Sequence, residues 1–584
     1  MGMIKKIAVV SILVVALVAG LITSSCARGG REAITVEKEK PVYGGVLTTR
    51  LAADPPAFDD VVRGHAYCTT LKLTNDELWT GDWTKGRAGG YGTGECDWFV
   101  GGGLNRLEHK AGSLAESWEI QGKDTIIFHL RKGVKWHNKP PTNGRELTAE
   151  DVVFSLKRQC TAPTAYFKQT YPKAAETTEI TAPDPYTVVV KCKPEYFGDV
   201  ITMIPDYMCI FPKDAVEQFG NLNDWKNSIG TGPFMLTEFV PGSVVTLTRN
   251  PSYWEKNPIG PGKGDQLPYL DGFKFLVLPD ESSFYAAFRT GQIDIASGVE
   301  SEMAQEFLRM PQLKHIRYSE DATYCIFMRT DKKDSPFADK RVRQALSLAI
   351  DYKGIVDKYF NGDGIAVKWP IIYVKEYAGA YVSMDQMPKS VQELYSYNPE
   401  KAKQLLAEAG YPNGFKTKVI AYNTRLVMDV LQMMVDMWSK VGVQVEIEPK
   451  DYSSWLSVFV RRAYDEMFQG SNSGIGTYFK AINFTGPGMY NGSYVNDPVL
   501  NKARDDMMAA YPDEVTVDKI HRDMLPYLLE QVYVIPMPGP YYYRFWWPWV
   551  KNYSGEASMG YYNAYNYGKY IWIDQELKQS MMGK

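Results

Sequence analysis

The sequence predicts an α/β fold, and three observations carry that prediction. The chain has 584 residues, 45% of them hydrophobic and 23% charged, enough for two or more cores. Stretches that alternate with period 2 recur between stretches of helical period, as in lobes built on a mostly parallel or mixed sheet. The boundaries between them carry capping residues at helix starts and glycines at helix ends.

At the N-terminus, Lys5 and Lys6 precede an apolar run from Ile7 to Ile22, then Thr23, Ser24, Ser25 and Cys26. A basic start, an apolar stretch and small residues describe a secretory signal over 1–25. Cys26 resembles the lipidation cysteine of a bacterial lipoprotein, with Thr23 where that pattern has Leu. Plain cleavage and a retained anchor are the alternatives. Residues 26–41 are polar and charged and read as a tether. No later stretch is apolar and long enough to span a bilayer, so the remainder is expected outside the cytoplasmic membrane.

Tyr43 to Leu47 opens a strand, and Ala53 to Asp59 turns out of it. Between Val62 and Gly112, Gly90, Gly92 and Gly94 superficially suggest a dinucleotide loop. That motif needs a strand before it, a helix after it and an acidic residue about twenty positions on; Trp98 and further glycines follow instead, so an insertion loop is expected. Gln121 to Asp124 is turn chemistry, after which Thr125 to Leu130 places Ile126, Phe128 and Leu130 on one face. Thr148, three residues before Asp151, starts a capped helix with Val152, Val153 and Leu156 as its apolar run. Thr187 to Lys191 is a β-branched strand, a helix begins near Phe211, and Leu267 to Leu278 supplies another strand. Further on, Asp339 caps a helix whose apolar face is Val342, Ala345, Leu346, Ala349 and Ile350. Asn398-Pro399 starts the next, ended by Gly410. Leu426 to Val441 is stopped by Gly442, with Met433, Met434 and Met437 as core. Val443, Val445 and Ile447 then alternate, and Val532 to Pro536 forms a late strand.

Three segments in fixed order, LAESW (Leu114 to Trp118), LRKGVKWH (Leu130 to His137) and TAEDVVFSL (Thr148 to Leu156), resemble the dipeptide- and oligopeptide-binding family of ABC-importer solute-binding proteins. Gly230 to Phe234 (GTGPF) and Ser335 to Tyr352 strengthen the resemblance. It implies a two-lobed periplasmic-binding-protein fold of type II, the large peptide-binding class, with an extra subdomain in lobe I and a two-crossing hinge. On that pattern lobe I covers 42–323 with the subdomain at about 62–195, lobe II covers 324–540, and 541–584 returns to lobe I. The implied partners are the transmembrane permease subunits, a small peptide or sugar ligand, and the membrane through the N-terminal lipid. The implied mechanism is closure of two lobes on a solute.

Composition narrows the remaining classes. A net charge of -3 gives no reason to expect nucleic acid. The six His are scattered without metal-ligand spacing, so neither metal nor cofactor is expected. No GxSxG elbow, HExxH or P-loop occurs. Carboxylates are numerous, which keeps a glycosidase-type pair open and makes an exported hydrolase the alternative class. A receptor or chaperone that uses the fold without transport is a third. Besides Cys26 there are six cysteines, an even set in an exported chain. Cys68 with Cys96 is the first candidate disulfide, because they bracket a Gly-rich insertion.

The ligand residues follow from the resemblance. Peptide-binding members place an Asp in the second lobe against the ligand's α-amino group, shortly after a YDxxxxGW stretch. Here Tyr464 to Gly474 is the counterpart: Asp465 matches the structural Asp, Ser471 falls at the Trp, and Gly474 at the ammonium-pairing Asp. A buried ammonium without a carboxylate is costly. Gln469, Ser471, Asn472 and Ser473 are neutral hydrogen-bonding groups suited to amides or hydroxyls. Phe58, Trp369, Tyr422 and Asn423 complete the candidate set. A peptide is the expected solute, with an oligosaccharide or other neutral solute as the alternative.

Overall fold

The structure is a computed structural model and describes residues 39–63, 68–100, 106–320, 323–472, 485 and 491–583. The signal, most of the tether, Cys26 and Ser473 lie outside the described residues. Pro41–Lys584 forms one body.

Two sheets build the first lobe. One runs in the order Val46–Leu51, Gly272–Val277, Val244–Arg249, Phe234–Val240, with the first pair parallel and the rest antiparallel. The other sets Tyr542–Trp546 between Ile295–Glu300 and Lys314–Tyr318, all antiparallel. Asp294 ties them together from a fully buried position: its carboxylate accepts from the Thr48 N–H, the Trp549 indole and the Lys578 ammonium, each at 2.7 Å. Three donors, one of them charged, offset the cost of burying it.

The subdomain sheet pairs Ala115–Gln121, Thr125–Leu130, Thr187–Lys191 and Glu179–Asp184 in that order. Ile126, Phe128 and Leu130 face its core as their period predicts. Helix Ala149–Thr161 covers it, and the Asp151 carboxylate accepts from the Thr148 N–H at 3.2 Å to close the capping box. The GTGPF glycines are there for packing: a Cβ at Gly230 would collide with the Thr74 carbonyl of the insertion's short helix Leu71–Thr74.

The second-lobe sheet is mixed, in the order Val443–Lys450, Phe415–Tyr422, Met467–Asn472, Thr323–Met328, Val534–Pro536. Its helices start where the caps predicted: Asp339 accepts from the Arg341 N–H at 2.8 Å, and Asn398 from Lys401 at 3.0 Å. The last strand begins two residues later than expected, because Val532 takes a left-handed conformation ending helix Glu514–Gln531. Met434 is fully buried, as a core role requires.

The expected Cys68–Cys96 disulfide is not formed. The six cysteines among the described residues are all buried thiols. Cys68 packs in the core shared by the subdomain and the second lobe, 3.8 Å from the Asp59 carbonyl; Cys96 packs in the first-lobe core. The insertion is pinned by charge instead. Lys110, paired with Trp79–Gly81 on a two-stranded ribbon, meets Asp206 in a fully buried ion pair. Asp206 also accepts from the Tyr561 N–H at 2.9 Å and the Asn563 amide at 2.7 Å, which brings in the C-terminal segment. The glycines at 90, 92 and 94 form a loop around the short turn Ala88–Gly90 and make no dinucleotide cradle.

Candidate functional site

Strand Met467–Asn472 sits in the middle of the second-lobe sheet, with Ser471 opposite Tyr324 and Gly470 opposite Cys325. A Cβ at Gly470 would strike the Phe327 ring, so only glycine fits there. Gln469 is fully buried and spends its amide inside the protein: Oε1 accepts from the Tyr422 N–H at 3.1 Å and Nε2 donates to the Gly470 carbonyl at 3.0 Å. Its own carbonyl accepts from the Trp455 indole at 2.7 Å. Gln469 therefore braces the site and does not present its amide to a ligand, which corrects its expected role.

What Gln469 braces is an aromatic shelf. Tyr422 lies 5.6 Å from Tyr452 and 5.5 Å from Trp455, ring centre to ring centre. Behind them Trp455, Phe459 and Phe468 stack at 5.5–5.8 Å. Tyr452, at the open end, is 46% exposed. Asn423 is exposed beside it, its N–H held by the Lys450 carbonyl at 2.8 Å. Tyr422, Asn423 and half-buried Ser471 thus belong to one corner of the second lobe.

Two predicted residues do not join them. Phe58 is 5% exposed, packed edge-on against Phe239 at 5.5 Å in the first-lobe core. Trp369 is equally buried, in the core of the subdomain and second lobe. Both rings are buried in cores and present little surface to a solute.

The residues that sequence reasoning missed join the lobes. At the hinge, Asp363 of the second lobe accepts from first-lobe Arg317 (2.7 Å from Nε), the Ser301 hydroxyl (2.7 Å) and the Tyr543 hydroxyl (3.0 Å). Its carbonyl accepts from the Tyr541 N–H at 3.1 Å on the returning crossing. At the insertion, Arg106 Nη1 donates to both oxygens of Asp518 at 2.9 Å, and its Nε lies 3.7 Å from Glu514. Burial, opposed by Arg106 and the Leu107 N–H, pushes the Glu514 carboxyl up to about 7. Arg425 reaches Glu300 across the lobes at 2.7 Å. Beside the hinge lies a cavity of about 340 Å³, lined by none of the predicted residues. Among the described residues no cluster of His, Cys, Asp or Glu is arranged to hold a metal.

Four sheets, a double crossing and a polar strand end fit a two-lobed solute-binding protein. The family model of bacterial extracellular solute-binding proteins, family 5, matches residues 111–494, and the chain belongs to that family. It is 30% identical over 410 residues to heme-binding protein A of Haemophilus influenzae, covering 66% of this chain and 70% of that one. It is 31% identical over 384 residues to the dipeptide-binding protein of Escherichia coli, covering 60% and 67%. The periplasmic binding protein DppA of Helicobacter pylori, solved with the peptide STSA, superposes with a TM-score of 0.69 over 91% of this chain and 99% of that one, at 21% identity.

Proposed function

We propose that this chain captures a short peptide between its two lobes and delivers it to an ABC permease, without chemistry on the solute. The observation that supports the reading is the corner at Tyr422, Asn423 and Ser471. It joins the open end of an aromatic shelf, half-buried Tyr422 and exposed Tyr452, to neutral hydrogen-bonding groups suited to amides. The lobes are taken as 42–323 with 541–584, and 324–540, and Asn472 and Ser473 remain candidate ligand residues from the sequence. Lipidated Cys26 holds the receptor on the outer face of the membrane through the 26–41 tether. A second reading, an oligosaccharide or other neutral solute, is favoured by Gly474 standing where a carboxylate would meet a peptide's ammonium.

Thermal melts of the mature protein with peptide and oligosaccharide pools test the reading. A ligand at a hundredfold its Kd adds about 2.7 kcal/mol, so peptides are expected to raise the melting temperature clearly. Stabilisation by a sugar and by no peptide overturns the peptide reading; turnover of any pool component overturns the receptor reading.

A further inference from the structure

Three distant pieces of chain wall the cavity beside the hinge. The insertion gives Phe99, the strand end before the first crossing gives Tyr318, and the second-lobe loop gives Val367 and Ile372. At about 340 Å³ the cavity is at the small end of ligand pockets. A void of about 150 Å³ already takes a benzene ring, so a two-ring group fits with room to spare.

The charged groups around it are engaged elsewhere. Arg317 is bound to Asp363 and lies 3.5 Å over the Tyr541 ring. Asp97 pairs with Arg87 at 2.7 Å, Glu376 accepts the Asp97 N–H at 2.5 Å, and Lys375 donates to the Gly94 carbonyl. An occupant therefore meets apolar walls and tyrosine rings, beside charged groups that already hold hydrogen-bond partners. Tyr373 at the rim is 62% exposed and touches Tyr381 edge-on at 5.5 Å. A ring left this far in water beside an apolar cavity gains by closing over an apolar group.

The cavity is also joined to the polar corner. The Lys368 carbonyl in its wall loop accepts from the Thr323 hydroxyl at 2.9 Å. The next residue, Tyr324, stands opposite Ser471.

We propose that this cavity is a second subsite, taking an aromatic group of indole size carried by the solute whose polar part lies at Tyr422, Asn423 and Ser471. The proposal rests on the receptor reading and gives the insertion a purpose, since Phe99 supplies one wall. It names the substrate class as peptides bearing a large aromatic side chain.

Calorimetric titration of the mature protein with Ala-Trp-Ala and Ala-Ala-Ala, and with free indole, tests it. Wild type is expected to bind Ala-Trp-Ala at least tenfold more tightly than Ala-Ala-Ala. Ile372→Trp fills the cavity and Tyr373→Ser removes the rim; each is expected to bring that ratio near one and to weaken indole at least tenfold. Because Tyr373 is exposed, its variant carries the test where Ile372→Trp fails to fold. Equal affinities for the two tripeptides in wild type, or a ratio unmoved in Tyr373→Ser, overturns the subsite and leaves the peptide reading standing. Binding of indole, sensitive to both variants, with no binding of either peptide supports the aromatic cavity and overturns the peptide reading together with the peptide substrate class.

Discussion

At the hinge one carboxylate serves three donors from the other lobe, whereas at the insertion one guanidinium serves two buried carboxylates and the exposed Glu108. Asp363 is partly exposed and Arg317, its charged donor, is 45% exposed. Water can replace either partner there, so the contact re-forms easily as the lobes rotate. Arg106 and Asp518 are 10% and 5% exposed, and Glu514 is 12% exposed. Opening that junction uncovers one cation and two carboxyl groups together, and removing the cation alone leaves both carboxyl groups buried without it. Reversible closure needs both behaviours: a pivot that costs little to flex and a clasp that holds only when fully assembled.

Arg106→Met breaks the clasp and is expected to have the largest effect. Truncating one partner of a buried ion pair costs about 3–5 kcal/mol, so urea titration should show a clear loss of stability. Arg106→Met together with Glu514→Gln and Asp518→Asn should recover most of it. A single variant as stable as wild type removes the clasp from the account.

The next effect is a pH dependence to which the clasp contributes, beside Asp60 and Glu556, whose carboxyls burial also pushes up to about 7. Glu514 faces Arg106, the Leu107 N–H, the Tyr511 hydroxyl at 3.3 Å, Asp518 and Glu108. Its folded pKa, about 7, lies above the ordinary glutamate value of 4.5. The folded state thus binds the proton more tightly, and the stability this gives is complete below 4.5 and lost as pH rises through 7. Melting temperature should fall across that window, and Glu514→Gln should make the fall shallower. An unchanged slope in the variant assigns the titration to another group.

Asp363→Asn tests the pivot and should do less. The amide keeps part of the hydrogen bonding and Arg317 rehydrates readily, so about 1 kcal/mol is expected. The readout that distinguishes a pivot is lobe opening: small-angle scattering of the ligand-free variant should show a more extended particle. A loss of stability as large as that of Arg106→Met would erase the contrast between the two junctions.

Much of the fold was legible because its signals are local. The capping box at Thr148 and Asp151, the caps at Asp339 and Asn398, and the alternation of Thr125–Leu130 involve residues within a few positions of one another. Of the candidate residues, Tyr422, Asn423 and Ser471 come together at one corner because they lie at the ends of neighbouring strands of one sheet. Phe58 and Trp369 lie buried, and an aromatic ring carries no local sign of whether a core or a cleft will receive it; Phe58 is anchored by Asn223 and Phe239 from a distant stretch. Gln469 differs: its polarity was read correctly, but its partner is the backbone of the neighbouring strand. The Arg106–Asp518 pair spans 412 positions, and no spacing rule reaches that far.

The smallest expected effect sharpens what holds the insertion. Cys68 and Cys96 bracket it, yet their thiols lie in different apolar cores, while Lys110 and Asp206 pin it without solvent access. A disulfide closing that loop would contribute about 2–5 kcal/mol, and reduction would lower the melting temperature by several degrees. With charge as the pin, melting curves with and without reductant should coincide, and Cys96→Ser should behave alike in both. Lys110→Met should instead destabilise the protein strongly by leaving Asp206 buried without its cation. A reductant-dependent melt would show a covalent pin, and the insertion would then be a fixed wall instead of one assembled by charge.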